Sequence, residues 1–262
     1  MGPGFDALGV ALTLWADVGL VGVDAQPDGA REAEPTHPAQ VAFDRAGGTG
    51  TVWVRSEIPM GRGLGFSGAV RIGGALVAEQ QRDGAFSPKS ARALALCTEL
   101  EGHGDNVAPA LWGGVVVVAD DRVVEVPCAL DASFVVWVPE TTTSTNESRR
   151  RIGPTITLDA AVFNIARSAM LVAALGAGDV SALREATRDR IHQDVRFEAA
   201  PSSRAAYEVG LAAGAWCGWL SGSGPTVAFM TAPADAPTLA AALPGEARTR
   251  VLQIDREGAR TL

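Results

Sequence analysis

Pro59, Met60, Gly61, Arg62, Gly63, Leu64, Gly65, Phe66, Ser67, Gly68 and Ala69 form the stretch of this chain best suited to chemistry. Four of the eight residues 61–68 are glycine, after an alternating apolar segment (Val52, Val54) and before a helix-like run from Ser67 to Gln81. A strand, a flexible loop and a helix start make a geometry for phosphate. Glycine lets backbone N–H groups approach an anion closely, and the helix N-terminus adds about half a positive charge. Lys89, well past the loop, is the only lysine in the chain, so the lysine that P-loop NTPases and protein kinases set on the phosphates is missing here. The loop must work with N–H groups and the helix dipole. A dinucleotide fingerprint framed on Gly61 and Gly63 would need glycine where Phe66 stands, and a serine-hydrolase elbow around Ser67 would need glycine where Ala69 stands. The remaining alternative is a tight turn with close helix packing.

The rest of the chain must position that loop. Its 262 residues fit one large or two modest domains, with 47% hydrophobic and 20% charged residues, ordinary for a globular protein. A net charge of −8 argues against nucleic acid or an anionic membrane as partner, so an anionic nucleotide needs a local site. Uninterrupted apolar runs fall well short of the ~20 residues of a membrane span. The beginning, Gly2-Pro3-Gly4, does not read as a secretory leader. Cys97, Cys128 and Cys217 are odd in number and far apart, which suits free thiols in a reducing cytoplasm and no metal cluster.

Alternation predicts strands within 8–25, over 51–58, and as a hairpin of 115–118 with 123–126 around Asp120-Asp121. The polar stretch 26–50 predicts a long loop with a short helix. Ser87-Pro88 predicts an N-cap and first helical turn for a helix reaching Glu101. Asn106–Trp112 predicts a short helix ended by Gly113-Gly114. A second half begins with a strand at 134–138, then a polar loop over 141–157. The strongest helix is predicted over 158–175, with Ala161, Val162, Ile165, Ala169, Leu171 and Val172 at helical spacing and Gly176 as its stop. Shorter helices over 181–191, 203–213 and 237–243, and strands over 216–220, 227–230 and 248–254, complete an α+β pattern in two halves joined near residue 130.

Four segments then fall into one pattern. Gly2-Pro3-Gly4-Phe5-Asp6, the loop Pro59–Ala69, and Leu220-Ser221-Gly222-Ser223-Gly224-Pro225-Thr226 resemble, in order, the three motifs of the GHMP kinases. The segment Glu101-Gly102-His103-Gly104-Asp105-Asn106-Val107-Ala108-Pro109-Ala110 resembles the homoserine kinase branch. So do Ser144-Thr145 followed by Arg149, Asp159 to Asn164, and Arg190-Ile191-His192-Gln193 ending at Arg196. The resemblance spans essentially the whole chain. It implies a two-domain fold, with a ribosomal-protein-S5-like ATP-binding domain over 1–131 and a ferredoxin-like α+β domain over 132–262.

The same resemblance implies the roles. Pro59–Ala69 would wrap the ATP phosphates; Ser67 and Glu101 would hold Mg²⁺, a hard cation content with few protein oxygens. Asp6 would accept from a substrate ammonium group, and Arg149 and Arg196 would bind its carboxylate. Thr145 and His103 would shape that pocket, and Asn106 would orient the reacting hydroxyl. The implied reaction is phosphoryl transfer from ATP to L-homoserine in a cytoplasmic enzyme of threonine biosynthesis, with a homodimer as the prior assembly. His192 reads as structural, Ser221 and Ser223 as loop-forming, Asn164 as a buried polar anchor, and Arg150 and Arg151 as a solvated face.

Two departures from the family pattern bear on function. Phe66 replaces the first of two serines in the ATP motif and adds bulk beside the nucleotide, while Ser67 is kept. Met1 stands inside the first motif, so the expected preceding strand, ending in a substrate-contacting Asn, lies outside this sequence; a start placed too late is the favoured explanation. The competing readings are a GHMP kinase for another small hydroxy acid and a non-catalytic nucleotide-binding remnant.

Overall fold

The computed structural model describes residues 1–261. The chain forms two compact units. One is built from residues 6–59, 65–125 and 255–261; the other from 1–5, 60–64 and 126–254.

The first unit contains two three-stranded antiparallel sheets. One is ordered β1-β5-β6, from β1 (Leu8–Val10), β5 (Val115–Ala119) and β6 (Arg122–Val126); the other is β2-β4-β3, from β2 (Ala16–Leu20), β4 (Val52–Ser56) and β3 (Arg31–Glu32). Register follows the alternation: Val18 lies opposite Val54, and Leu8 opposite Val117. Four helices cover them: α1 (Pro38–Arg45), α2 (Phe66–Asp83), α3 (Ala91–Glu101) and α4 (Val107–Trp112). Ile72, Ala75 and Leu76 of α2 meet Leu94 and Cys97 of α3 and Leu111 of α4 in one buried cluster. Val70 and Ala78 join Phe43 and Val52 in another.

Glycine sets how closely these elements approach. A Cβ on Gly74 of α2 would lie 2.1 Å from the Ala39 carbonyl oxygen of α1. A Cβ on Gly9 of β1 would lie 2.0 Å from the Asp105 carbonyl oxygen. No side chain fits at either distance, so both contacts are backbone against backbone.

The second unit is a four-stranded antiparallel sheet ordered β10-β7-β9-β8, from β7 (Ser133–Val138), β8 (Cys217–Leu220), β9 (Val227–Thr231) and β10 (Arg248–Leu252). Every residue of β7, β8 and β9 is buried, as continuous apolar runs require when both sheet faces are covered. The helices are α5 (Thr145–Ile152), α6 (Leu158–Ala177), α7 (Val180–Ala186), α8 (Gln193–Glu198), α9 (Pro201–Ala212) and α10 (Ala236–Ala242). Val135, Trp137, Phe229 and Leu239 lie at the centre of the core.

Several expectations are corrected. The α3 helix starts at Ala91 with Ser90, not Ser87, as its N-cap; Ser90 Oγ accepts from Ala93 N and donates to the buried carboxylate of Glu79. The polar segment 141–157 carries α5 rather than loop alone. Gly176 is an ordinary residue inside α6, which ends at left-handed Gly178 with its N–H on the Ala174 carbonyl. The buried face of α6 is Phe163, Asn164, Leu171, Ala174 and Leu175, while Val162 and Ile165 are exposed at 56% and 68%. This helix is also long and apolar enough, by length and composition, to cross a bilayer, although Asp159 and Arg167 break it into shorter apolar stretches.

Two glycine substitutions should move stability in opposite directions. Gly74→Ala gains ~1 kcal/mol of helix propensity but must displace α1, and a net loss of about 1–2 kcal/mol is expected. Gly176→Ala, whose Cβ would come no nearer than 3.8 Å to another atom, should gain about 0.5–1 kcal/mol. Urea midpoints measured against the parent chain check both.

Candidate active site

The glycine-rich loop follows β4 and ends where α2 begins. Gly61, Gly63 and Gly65 all have left-handed backbones, with φ of 69°, 74° and 75°. They alternate with Arg62 and Leu64, the kind of alternation that turns successive N–H groups into an anion-binding concavity. Gly65 is the N-cap of α2 and, having no side chain, leaves the first-turn N–H groups uncapped. An 18-residue helix therefore presents its positive end with its donors free of side-chain caps.

Residues 60–64 are braced within the second unit. Ser221 Oγ donates to the Gly63 carbonyl at 2.7 Å, and a Cβ on Gly63 would lie 2.1 Å from the Ser221 carbonyl oxygen. Thr143 N donates to the Gly61 carbonyl at 2.9 Å. Arg62 donates to the carbonyls of Pro139 and Glu140 at 2.9 and 2.8 Å, so its guanidinium is engaged by backbone. Phe66, the first residue of α2, turns its ring edge-on to His37 at 5.9 Å and packs against the Phe43 and Val52 cluster.

In the first unit Ser67 and Glu101 meet. Ser67 Oγ, at the start of α2, donates to Glu101 Oε1, at the end of α3. Arg71, one turn after Ser67, donates through Nε to the same Oε1 at 2.5 Å. A hydroxyl and a carboxylate on adjacent helices are hard oxygen donors, and they fit Mg²⁺ in its usual nucleotide mode of one carboxylate, phosphate oxygens and water. Nothing in the sequence reading marked Arg71. One sign was available, because it is the only charged residue from Phe66 to Ala78.

A second cluster in the same unit joins Asp6, His103 and Asp105. Each can place one ligand atom within 4.8 Å of the others. His103 Nδ1 lies 2.6 Å from Asp105 Oδ1. A carboxylate only accepts, so His103 donates to it through Nδ1. Asp6 itself has a left-handed backbone, φ 60°, uncommon for a residue with a side chain. The cluster is chemically a cation receptor. Asn106, the N-cap of α4, lies against the first turn of α2, where a Cβ on Gly65 would be 3.5 Å from its Oδ1.

The arginines belong to the second unit. Arg149 of α5 and Arg196 of α8 each place the guanidinium carbon 5.2 Å from the Phe5 ring centroid. His192 stacks on the same ring at 5.0 Å. Arg196 Nη1 donates to the Gly222 carbonyl at 2.8 Å and to His192 Nδ1 at 3.1 Å. His192 Nε2 then donates to the Gly2 carbonyl at 2.9 Å. Accepting on one nitrogen and donating from the other, the ring is neutral, and burial pushes it down to about 4 despite Asp189 alongside. Asp189 Oδ1 accepts three backbone N–H groups, from Ile191, His192 and Gln193, at 2.7–2.9 Å. Asn164 donates to Asp189 at 2.8 Å and to the Pro3 carbonyl at 3.2 Å, and accepts from Arg190 N. Thr145 opens α5 one turn before Arg149 and is exposed, as are Arg150 and Arg151.

Relatives place this scaffold in a family. Residues 36–114 match the GHMP kinases N terminal domain, and residues 171–248 match the GHMP kinases C terminal model. A homoserine kinase of Thermus thermophilus is 37% identical, over 97% of this chain and 92% of the relative. One from Clostridium beijerinckii is 34% identical, over 87% and 81%. The chain belongs to the homoserine kinase family. Its fold is the two-domain GHMP kinase fold. The crystal structure of homoserine kinase from Cytophaga hutchinsonii shares it at TM-score 0.81 and 24% identity, covering 98% of this chain and 92% of that one. The crystal structure of L. major mevalonate kinase shares it at TM-score 0.70 and 13% identity, covering 95% of this chain and 89% of that one.

For this homoserine kinase family member, the sequence paired Ser67 with Glu101 and Arg149 with Arg196, and each pair is close within its own unit; it named Asp6 and His103 separately, and the fold brings them together with Asp105. It missed Arg71, Asp189 and the aromatic floor under the arginines, Phe5. Phe5 was visible as part of the first motif, but only the fold puts two guanidinium groups over it.

The neutral, buried His192 has a consequence for stability. Its folded pKa lies below the unfolded value near 6.5, so the unfolded chain binds the extra proton first. The stability it contributes is complete above pH 6.5 and is lost as pH falls toward 4, on the order of 3 kcal/mol in all. Melting temperature should fall between pH 7 and pH 5, and His192→Gln should flatten that slope while lowering the neutral-pH value.

Proposed function

We propose that this protein transfers the γ-phosphoryl group of ATP to the hydroxyl of L-homoserine, giving O-phospho-L-homoserine and ADP. The observation that carries the choice of acceptor is the pair of guanidinium groups, Arg149 and Arg196, over the one Phe5 ring. Two fixed cations on an aromatic floor suit a carboxylate and leave a neutral sugar with nothing to neutralise them.

In this reading Arg149 and Arg196 hold the substrate carboxylate and Asp6 takes its ammonium group, with Thr145 and His103 shaping the pocket. Asn106 orients the hydroxyl. The loop Pro59–Ala69 and the N-terminus of α2 carry the phosphates through backbone N–H groups. Mg²⁺ held by Ser67 and Glu101 would neutralise charge on the transferring phosphates. The hydroxyl oxygen bonds to the γ-phosphorus as the bond to the β-phosphate oxygen breaks, ADP leaves, and the hydroxyl proton departs to a phosphate oxygen or to water. Positioning and charge stabilisation carry such a loose transition state, so no dedicated carboxylate base is assigned.

A coupled ADP-release assay with Mg-ATP tests this, with L-homoserine set against L-serine, mevalonate, shikimate and galactose. Turnover should be specific to L-homoserine. Arg149→Ala removes a charge-assisted contact of roughly 1.5–3 kcal/mol and should lower kcat/KM by about 10- to 100-fold. Glu101→Ala should act on kcat and on Mg²⁺ dependence. Absence of turnover with L-homoserine while ATP binding persists would sink the reading.

A further inference from the structure

Glu101 already has a cation. Arg71 Nε sits 2.5 Å from the same oxygen that accepts from Ser67, and both side chains are largely buried, 16% and 12% exposed. Arg71 Nη1 is buried with no hydrogen-bond partner, so the guanidinium is not fully satisfied by Glu101. Its charge is felt around it: burial first, and then Arg71, lower the His37 imidazole below its ordinary value.

We propose that Arg71 is a resident counter-cation of the Ser67–Glu101 site, one that keeps the nucleotide-free protein a poor binder of divalent metal. The inference rests on the reading of Ser67 and Glu101 as metal ligands. Arg71 and a metal ion compete for one carboxylate oxygen. A fixed unit charge about 4 Å from a divalent ion opposes its binding by more than about tenfold even at the dielectric of bulk water, and by more in a partly buried site. Nucleotide phosphates reverse the balance. Their negative charge offsets the repulsion, and Arg71 Nη1 has a donor to offer an oxygen. Metal then enters with the nucleotide. The arrangement also keeps Ser67 and Glu101 aligned when no metal is bound, because the guanidinium holds the carboxylate that the hydroxyl must meet.

Mn²⁺ titration of the nucleotide-free full chain, read by electron paramagnetic resonance of the free ion, tests this without reference to turnover. Arg71→Gln should bind Mn²⁺ at least about tenfold tighter than the parent. Arg71→Lys, which keeps the charge, should stay within about threefold of it, and Arg71→Gln with Glu101→Gln should lose the gain. Should Arg71→Gln fail to fold by circular dichroism, Arg71→Met carries the same expectation. A folded, charge-free variant that binds Mn²⁺ no tighter than the parent overturns the proposal. If Glu101→Gln still weakens Mn²⁺ binding to the nucleotide complex in that case, the metal-ligand reading stands alone. A gain that survives Glu101→Gln puts the metal elsewhere and overturns both.

Discussion

The glycine-rich loop and the elements beneath it depend on backbones coming closer together than side chains allow. With no lysine at the loop, what it offers an anion is main-chain N–H groups and the positive end of α2. That demands glycine at left-handed positions and glycine where loop meets loop. Gly63 meets both demands, with φ of 74° and the Ser221 carbonyl where its Cβ would be. The same constraint reappears under the site, at Gly9 against Asp105 and Gly74 against Ala39. These contacts fix where α2 and the His103–Asn106 segment lie, and the charged side chains inherit their positions.

Charge is the second theme. A chain of net charge −8 cannot draw anionic ligands by its overall field. It places positive groups one by one: Arg71 on Glu101, Arg149 and Arg196 over Phe5. Each is held by geometry that costs conformational freedom elsewhere. Arg196 is pinned by the Gly222 carbonyl and by a histidine kept neutral through burial, and that histidine is pinned by the Gly2 carbonyl. A protonated His192 would set two like charges side by side with little water to screen them, which is why the neutral ring belongs to the folded state.

Legibility in the sequence varied with the kind of signal. Local patterns with one solution read well: β4 and the start of α2, the Asp120-Asp121 hairpin, the short helix after Asn106. Patterns with several solutions read poorly. Ser87-Pro88 is a good helix start by itself, but Ser90 also reaches Glu79, and that buried bond moves the cap three residues on. The α6 sequence is apolar nearly all round, so several stripes satisfy a helical period, and the face turned inward is the one carrying Asn164. A buried amide with partners in Pro3, Asp189 and Arg190 outweighs a stripe of Val162 and Ile165 that could lie either way.

By itself the sequence determined the family, the glycine-rich loop ahead of α2 and most of the charged residues that cluster, because motifs record residue types that chemistry cannot exchange. Only the tertiary structure decided which oxygens and nitrogens share a partner. Ser67 and Glu101 are 34 residues apart, and Arg71 and Glu101 are 30 apart, yet all three converge on one carboxylate oxygen. Helical spacing puts Arg71 on the face of Ser67. What brings α3 to that face is the burial of Ile72, Leu76, Leu94 and Cys97 in a common core, a sum of weak contacts that no short pattern in the chain encodes.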